Sequence, residues 1–201
     1  MRFRIAAIAT VALAATLAAG RPAMADDITV QLEQARAAYA RNDPLHALSA
    51  LQATINMLNT RLAEVFGKSL PAAPAGWVAG SVESQSLDTI GGGVTVTRAY
   101  TKDNSALNAA LIVDNPVVNG SVEMFQKGTQ APAQPGWTRL KVNDTDALVR
   151  YDSANRAGEI LMVVGDRVLL QIEGTDIAKD DVLVETAKGW NIPAIRKLLG
   201  P

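Results

Sequence analysis

The chain has 201 residues, with 19 Lys+Arg against 20 Asp+Glu, one histidine and no cysteine. The missing cysteines exclude disulfides, thiolate nucleophiles, iron–sulfur clusters and thiolate zinc sites, and a lone histidine cannot assemble a His-rich zinc or copper site. A charge this close to neutral argues against nucleic acid as a partner.

Residues 1–25 read as an address. Arg2 and Arg4 make a basic start, residues 5–19 are uncharged and apolar, and Ala23-Met24-Ala25 places small side chains before Asp26, the pattern of a cleaved secretory signal. The apolar stretch is shorter than the roughly 20 residues that span a bilayer as a helix. The two arginines are not adjacent, so a twin-arginine route is not indicated, and no cysteine is present to carry a lipid anchor. Cleavage removes three arginines and no acid, leaving 176 residues with 16 basic and 20 acidic side chains and a net charge near −4. The expected location is the periplasm of a Gram-negative bacterium, without stable membrane insertion. This length suffices for one domain with its own core.

Residues 28–66 read as two helices. Leu32, Ala35, Ala38 and Tyr39 follow a 3.6-residue period that breaks at Arg41-Asn42-Asp43. Asp43 suits an N-cap with Pro44 at the first helical position. Leu48, Leu51, Ile55, Leu58, Leu62, Val65 and Phe66 mark an apolar stripe, and Gly67 is the expected stop. The spacing looks like one tetratricopeptide-type hairpin, but a solenoid needs about three copies. Two helices packed on the domain, or protruding from it, are expected instead. Leu70 to Gly76, with prolines at 71 and 74, is a stiff linker that delivers the chain to Trp77.

From Trp77 the pattern changes to a period of 2, with strands expected at 77–87, 94–101 and 107–113. Asp114-Asn115-Pro116 opens a short helix, residues 128–135 form a loop, and strands resume at 137–142 and 147–152. Two apolar runs, 160–164 and 168–172, then flank Gly165-Asp166, which suits a tight hairpin turn. Ile160, Met162 and Val164 point one way, and Leu161 and Val163 the other. A strand apolar on both faces belongs inside a sheet or between layers, so this hairpin is expected at the centre of the fold. Nothing in it reads as chemistry. Helices over about 179–188 and from Asn191 to Leu199 end the chain.

Two halves emerge. Pro71 to Trp77 is echoed by Ala131 to Trp137, and Arg98-Ala99-Tyr100 by Arg150-Tyr151. The fold class is therefore α+β: an antiparallel sheet of about seven strands in two βββα-like halves, the second with an extra strand, packed with helices and preceded by the helical hairpin. The plan is a signal over 1–25, a hairpin over 26–69, a linker over 70–76 and the α+β domain over 77–201. This element order over about 77–199 resembles the α/β/α sandwich of the PsbP/Mog1-like proteins, which include periplasmic lipoproteins. The resemblance rests on no diagnostic motif and implies a fold, not a function.

Candidate chemistry is sparse. His46 reads as a partly exposed helix residue, and no Gly-x-Ser-x-Gly turn accompanies it. Gly91-Gly92-Gly93 precedes a strand rather than a helix, which suits a hairpin loop or bulge and not a phosphate cradle. Asn143-Asp144-Thr145-Asp146 lacks the glycine and distal glutamate of a calcium loop and reads as a turn. Asp180 and Asp181 favour a helix start. Arg98 and Tyr100 share a strand face with Val94 and Val96, where an arginine pairs with a carboxylate or reaches an anionic ligand. Trp77, Trp137 and Trp190 read first as core anchors. The candidate ligand- or partner-binding residues are Arg98, Tyr100, Arg150, Tyr151, Trp77 and Trp137; no catalytic residue, metal or cofactor is expected. The function that follows is a non-catalytic exported accessory protein that binds another protein or envelope component. An alternative is a binder of a small apolar or amphipathic ligand in a sheet–helix cleft, and a carboxylate-based hydrolase ranks last.

Overall fold

The computed structural model describes residues 26–127 and 136–200. The segment read as a signal, the loop expected over 128–135 and most of the second Pro-rich echo lie outside them. Helices α1 (Asp27–Ala40) and α2 (Pro44–Gly67) come first. Then follow strands β1 (Val78–Ser86), β2 (Val94–Lys102) and β3 (Ser105–Val113), and helix α3 (Pro116–Lys127). The second half holds β4 (Thr138–Val142), β5 (Thr145–Asp152), β6 (Ala157–Val164) and β7 (Val168–Thr175), then α4 (Asp181–Ala187) and α5 (Ile192–Leu199).

The seven strands form one antiparallel sheet in the order β1-β2-β3-β7-β6-β5-β4. Each half is a meander, and the pairing of β3 with β7 joins them. β7 is the fourth of seven, so the β6–β7 hairpin does hold the centre of this α+β fold. Its turn uses Gly165 at φ +64°, a conformation that costs glycine little. Trp77 and Trp137 stand just before β1 and β4 rather than inside them.

Both faces of the hairpin are covered, as its double apolar pattern requires. Ile160, Met162 and Val164, with Leu170 and Ile172, pack with Phe66 of α2, Leu183 of α4 and Ile195 of α5. Leu161, Val163 and Leu169 face the other way, under Val118, Val122 and Phe125 of α3. Each fully buried side chain of this size stabilises by about 1.5–3 kcal/mol. α4 approaches closely because Gly158 and Gly174 pair across β6 and β7; a Cβ at either would stand 2.9 or 3.1 Å from Leu183.

The glycines at 91–93 close the β1–β2 hairpin after a short 3-10 turn over Asp88–Ile90. All three have positive φ, and a Cβ on Gly93 would lie 2.2 Å from the Val113 carbonyl oxygen. Gly93 gives backbone clearance, while Gly91 and Gly92 supply the positive φ of the connection. Asn143 and Asp144, at φ +46° and +63°, form the tight β4–β5 turn expected of them.

α2 starts where the sequence indicates: Asp43 accepts a hydrogen bond from the His46 amide, with Pro44 in the first turn. Gly67 is the last helical residue, and its bare Cα lets Val82 of β1 close in, since a Cβ there would be 2.9 Å from Val82 Cγ1. Thus α2 packs on the domain by its C-terminal end, where Phe66 is buried and Leu62 joins the core. α1 packs on α2 through small residues, with Ala35, Ala38, Ala47 and Thr54 buried.

Candidate functional site

The six candidate residues do not form one site. Tyr100 is fully buried, and its hydroxyl donates to the Pro71 carbonyl at 2.6 Å. Burial raises its pKa, against the lowering effect of neighbouring Arg98. Tyr151 occupies the matching strand of the second half and donates to the Ile177 carbonyl at 2.9 Å. Each tyrosine ties a connecting segment to the sheet, a shared role that gives the internal echo physical content. Trp77 packs half-buried against the same core. These three are placed as anchors.

Arg98 lies on the Tyr100 side of the sheet, at a groove of about 520 Å³ between α2 and β1–β2. Lys68, Leu70, Val82 and Ala63 also line this groove. The Arg98 Nε is buried and has no hydrogen-bond partner. A buried donor left unpaired costs about 1–3 kcal/mol, and each such group asks for an explanation.

Arg150 and Trp137 meet on the opposite face, beyond α3. The Arg150 guanidinium sits 4.9 Å over the Trp137 ring and makes two bonds to Glu159, from Nε at 2.9 Å and Nη2 at 2.6 Å. Gln171 Nε2 donates to Glu159 at 2.7 Å and to Glu173 at 3.0 Å. Trp137, Arg150, Glu159 and Glu173 edge an open cleft of about 580 Å³ with Gly136, Asp152 and Thr175. The β6–β7 hairpin, expected to carry no chemistry, thus supplies Glu159 and Glu173 to it. The two acids are direct cross-strand partners on one sheet face. A glycosidase instead sets its acids on either side of the scissile bond. Here Glu159 has both oxygens occupied, so the arrangement is a charge-balanced polar surface. Sequence reasoning missed Glu159 and Gln171; the signal was two polar residues, each the β-period away from a buried apolar neighbour on the same face.

The most pronounced surface feature is on the helical hairpin. Leu45, Leu48, Leu51, Ile55 and Leu58 of α2 are 78, 63, 43, 39 and 45 % exposed, and Leu32 and Tyr39 of α1 are 47 and 76 % exposed. A groove on one flank of the pair is lined by Gln31, Gln34, His46 and Ser49. Helical spacing puts the apolar set on the other flank. His46 points into solvent and pairs with Asp43 at 2.6 Å; hydrogen bonding to His46 holds the Asp43 carboxyl below its ordinary pKa.

Among the described residues, no group of three or more His, Cys, Asp or Glu could hold a metal ion, and no helix is long and apolar enough to cross a membrane. Compared with known proteins, the chain matches no family model, no curated protein and no solved structure.

Proposed function

We propose that this is a non-catalytic accessory protein, exported to the periplasm, that binds another protein or an envelope component through the α1–α2 hairpin. One observation carries the reading: large apolar side chains at helical spacing lie open along α2 while small ones fill the α1–α2 contact. An exposed apolar strip rimmed by polar residues is the usual mark of a protein interface. The near-neutral charge fits a partner other than nucleic acid. The layering of helices on both faces of the sheet supports reading the body as PsbP/Mog1-like, which bears on its fold alone.

A second reading is favoured by the unpaired Arg98 Nε: an amphipathic ligand whose anionic end meets Arg98 and whose apolar part lies along Leu70 and Val82. Native mass spectrometry of the protein purified gently from its own cells separates the two. A bound polypeptide lost when Leu51 and Ile55 are made Glu is the expected result. A small bound mass lost in Arg98→Met would transfer the function to the groove.

A further inference from the structure

The exposed α2 strip follows a strict heptad. Leu48, Leu51, Ile55 and Leu58 are spaced 3, 4 and 3, and Leu62 extends the series into the core. A repeat of 3.5 residues keeps these side chains on one seam and suits them to knobs-into-holes packing with another helix. Among the described residues nothing fills those holes, because α1 meets α2 on the neighbouring face through Ala35 and Ala38.

We infer that the occupant of this seam is α2 of a second copy of the chain, run antiparallel about a two-fold axis, so that two hairpins close into a four-helix bundle. The sequence is palindromic in the required sense: about a centre at Ala53, Leu48 of one copy meets Leu58 of the other, and Leu51 meets Ile55. A two-fold interface needs such self-complementarity.

Charge is consistent with self-pairing. The seam is flanked by Leu45, Ala47, Gln52, Thr54 and Asn59, all uncharged. Arg61, the charged residue beside it, is held by Asp26 at 2.6 Å. Two copies therefore meet without like charges opposed. A charge-free seam offers little to a strongly charged partner. The area suits a weak, reversible dimer rather than a permanent one: the seven exposed apolar side chains offer roughly 390 Å² per copy, taking about 100 Å² for each full side chain. A standard interface of about 800 Å² per partner has roughly 450–500 Å² of apolar area. An antiparallel arrangement sets the two sheet bodies at opposite ends of the bundle.

The inference rests on the hairpin being a docking surface and names what docks. The full chain is expressed, purified and examined by sedimentation velocity across a concentration series, with circular dichroism melts to confirm that each variant folds. A reversible monomer–dimer equilibrium is expected for the natural sequence. Leu51→Glu with Ile55→Glu should raise the dimer dissociation constant by roughly 100-fold or more. Leu51→Glu with Ile55→Lys should regain dimer, because each glutamate then faces the lysine of the other copy. A monomer at every concentration overturns the inference, as does a Glu/Lys variant that associates no better than the Glu/Glu one. A monomer that carries a different polypeptide, lost in the Glu/Glu variant, overturns the second copy and leaves the docking surface. A monomer that carries only a small mass, lost in Arg98→Met, overturns both.

Discussion

Gly158 and Gly174 face each other across β6 and β7, and Leu183 of α4 fills the space that their missing side chains leave. The pair decides how near α4 can come to the centre of the sheet. A Cβ at 158 would stand 2.9 Å from both the Arg150 carbonyl oxygen and Leu183 Cδ1, whereas at 174 it would meet side-chain carbons alone, the nearest being Ile177 Cδ1 at 2.8 Å. Side chains can move and a paired strand cannot. Gly158→Ala should therefore destabilise by about 2–3 kcal/mol and Gly174→Ala by about 1–2 kcal/mol, the range for overpacked cores. Urea unfolding of the two variants checks the order; equal or reversed costs would refute the backbone argument.

The tyrosine anchors make a second prediction. Tyr100→Phe keeps the ring and removes the bond to Pro71, at a cost of about 1–2 kcal/mol. Burial raises the Tyr100 pKa above its ordinary value near 10. The stability this neutral phenol gives is fully present below that value and is lost as pH rises above it. The alkaline loss of stability should be shallower in the variant, as read from thermal midpoints between about pH 9 and 11.

At the acid end the informative pair is Asp114 and Arg167. Arg167 Nε and Nη2 donate to the two carboxylate oxygens, each at 2.7 Å, joining the end of β3 to the β6–β7 turn. Hydrogen bonding to Arg167 holds the Asp114 carboxyl below its ordinary pKa, opposed by partial burial. Its contribution is thus complete above about pH 4 and is lost as pH falls through the lowered value. Both side chains are about half exposed, which limits the effect to about 0.5 kcal/mol. Asp114→Asn tolerates the same positive φ; its urea midpoint should fall below that of the natural chain at pH 7 and converge with it near pH 2.

Arg150 is tied to a carboxylate more buried than itself, with side chains 58 and 12 % exposed for Arg150 and Glu159. Arg150→Met should cost about 1–3 kcal/mol by leaving that charge short of donors, and adding Glu159→Gln should recover much of it. Trp137 loses its cation neighbour in both variants, so its fluorescence should shift in both even where stability returns. A double variant as unstable as the single one would refute the ion-pair account.

Most of the fold was legible in the residues. The alternation of Ile160, Met162 and Val164 against Leu161 and Val163 placed the central hairpin, and Asp43-Pro44 placed the start of α2. The candidate site was less legible because its parts come together only across the sheet. Arg98 and Arg150 looked equivalent along the chain, yet Tyr100 shares the face of Arg98 while Tyr151 lies opposite Arg150, since one pair is two residues apart and the other adjacent. Glu159 gives little signal along the chain because it directly precedes an apolar run, and its partner Gln171 is distant in sequence. The α2 stripe is plain in the sequence, which leaves open whether the hairpin packs on the domain or protrudes from it. Only packing reveals that its C-terminal end is covered while the rest lies open.

The strand order also fixes when the molecule can be finished. β3 ends at residue 113, but its partner β7 begins only at residue 168. A chain that emerges from its N-terminus first must hold the β1–β2–β3 meander with its β3 edge unpaired until nearly all the rest has followed. That edge carries Leu107, Leu111 and Val113, and bare apolar edges recruit stray strands. Closure of the sheet is therefore a late, long-range event, and a chain cut short before β7 would leave a sticky half rather than a smaller working protein.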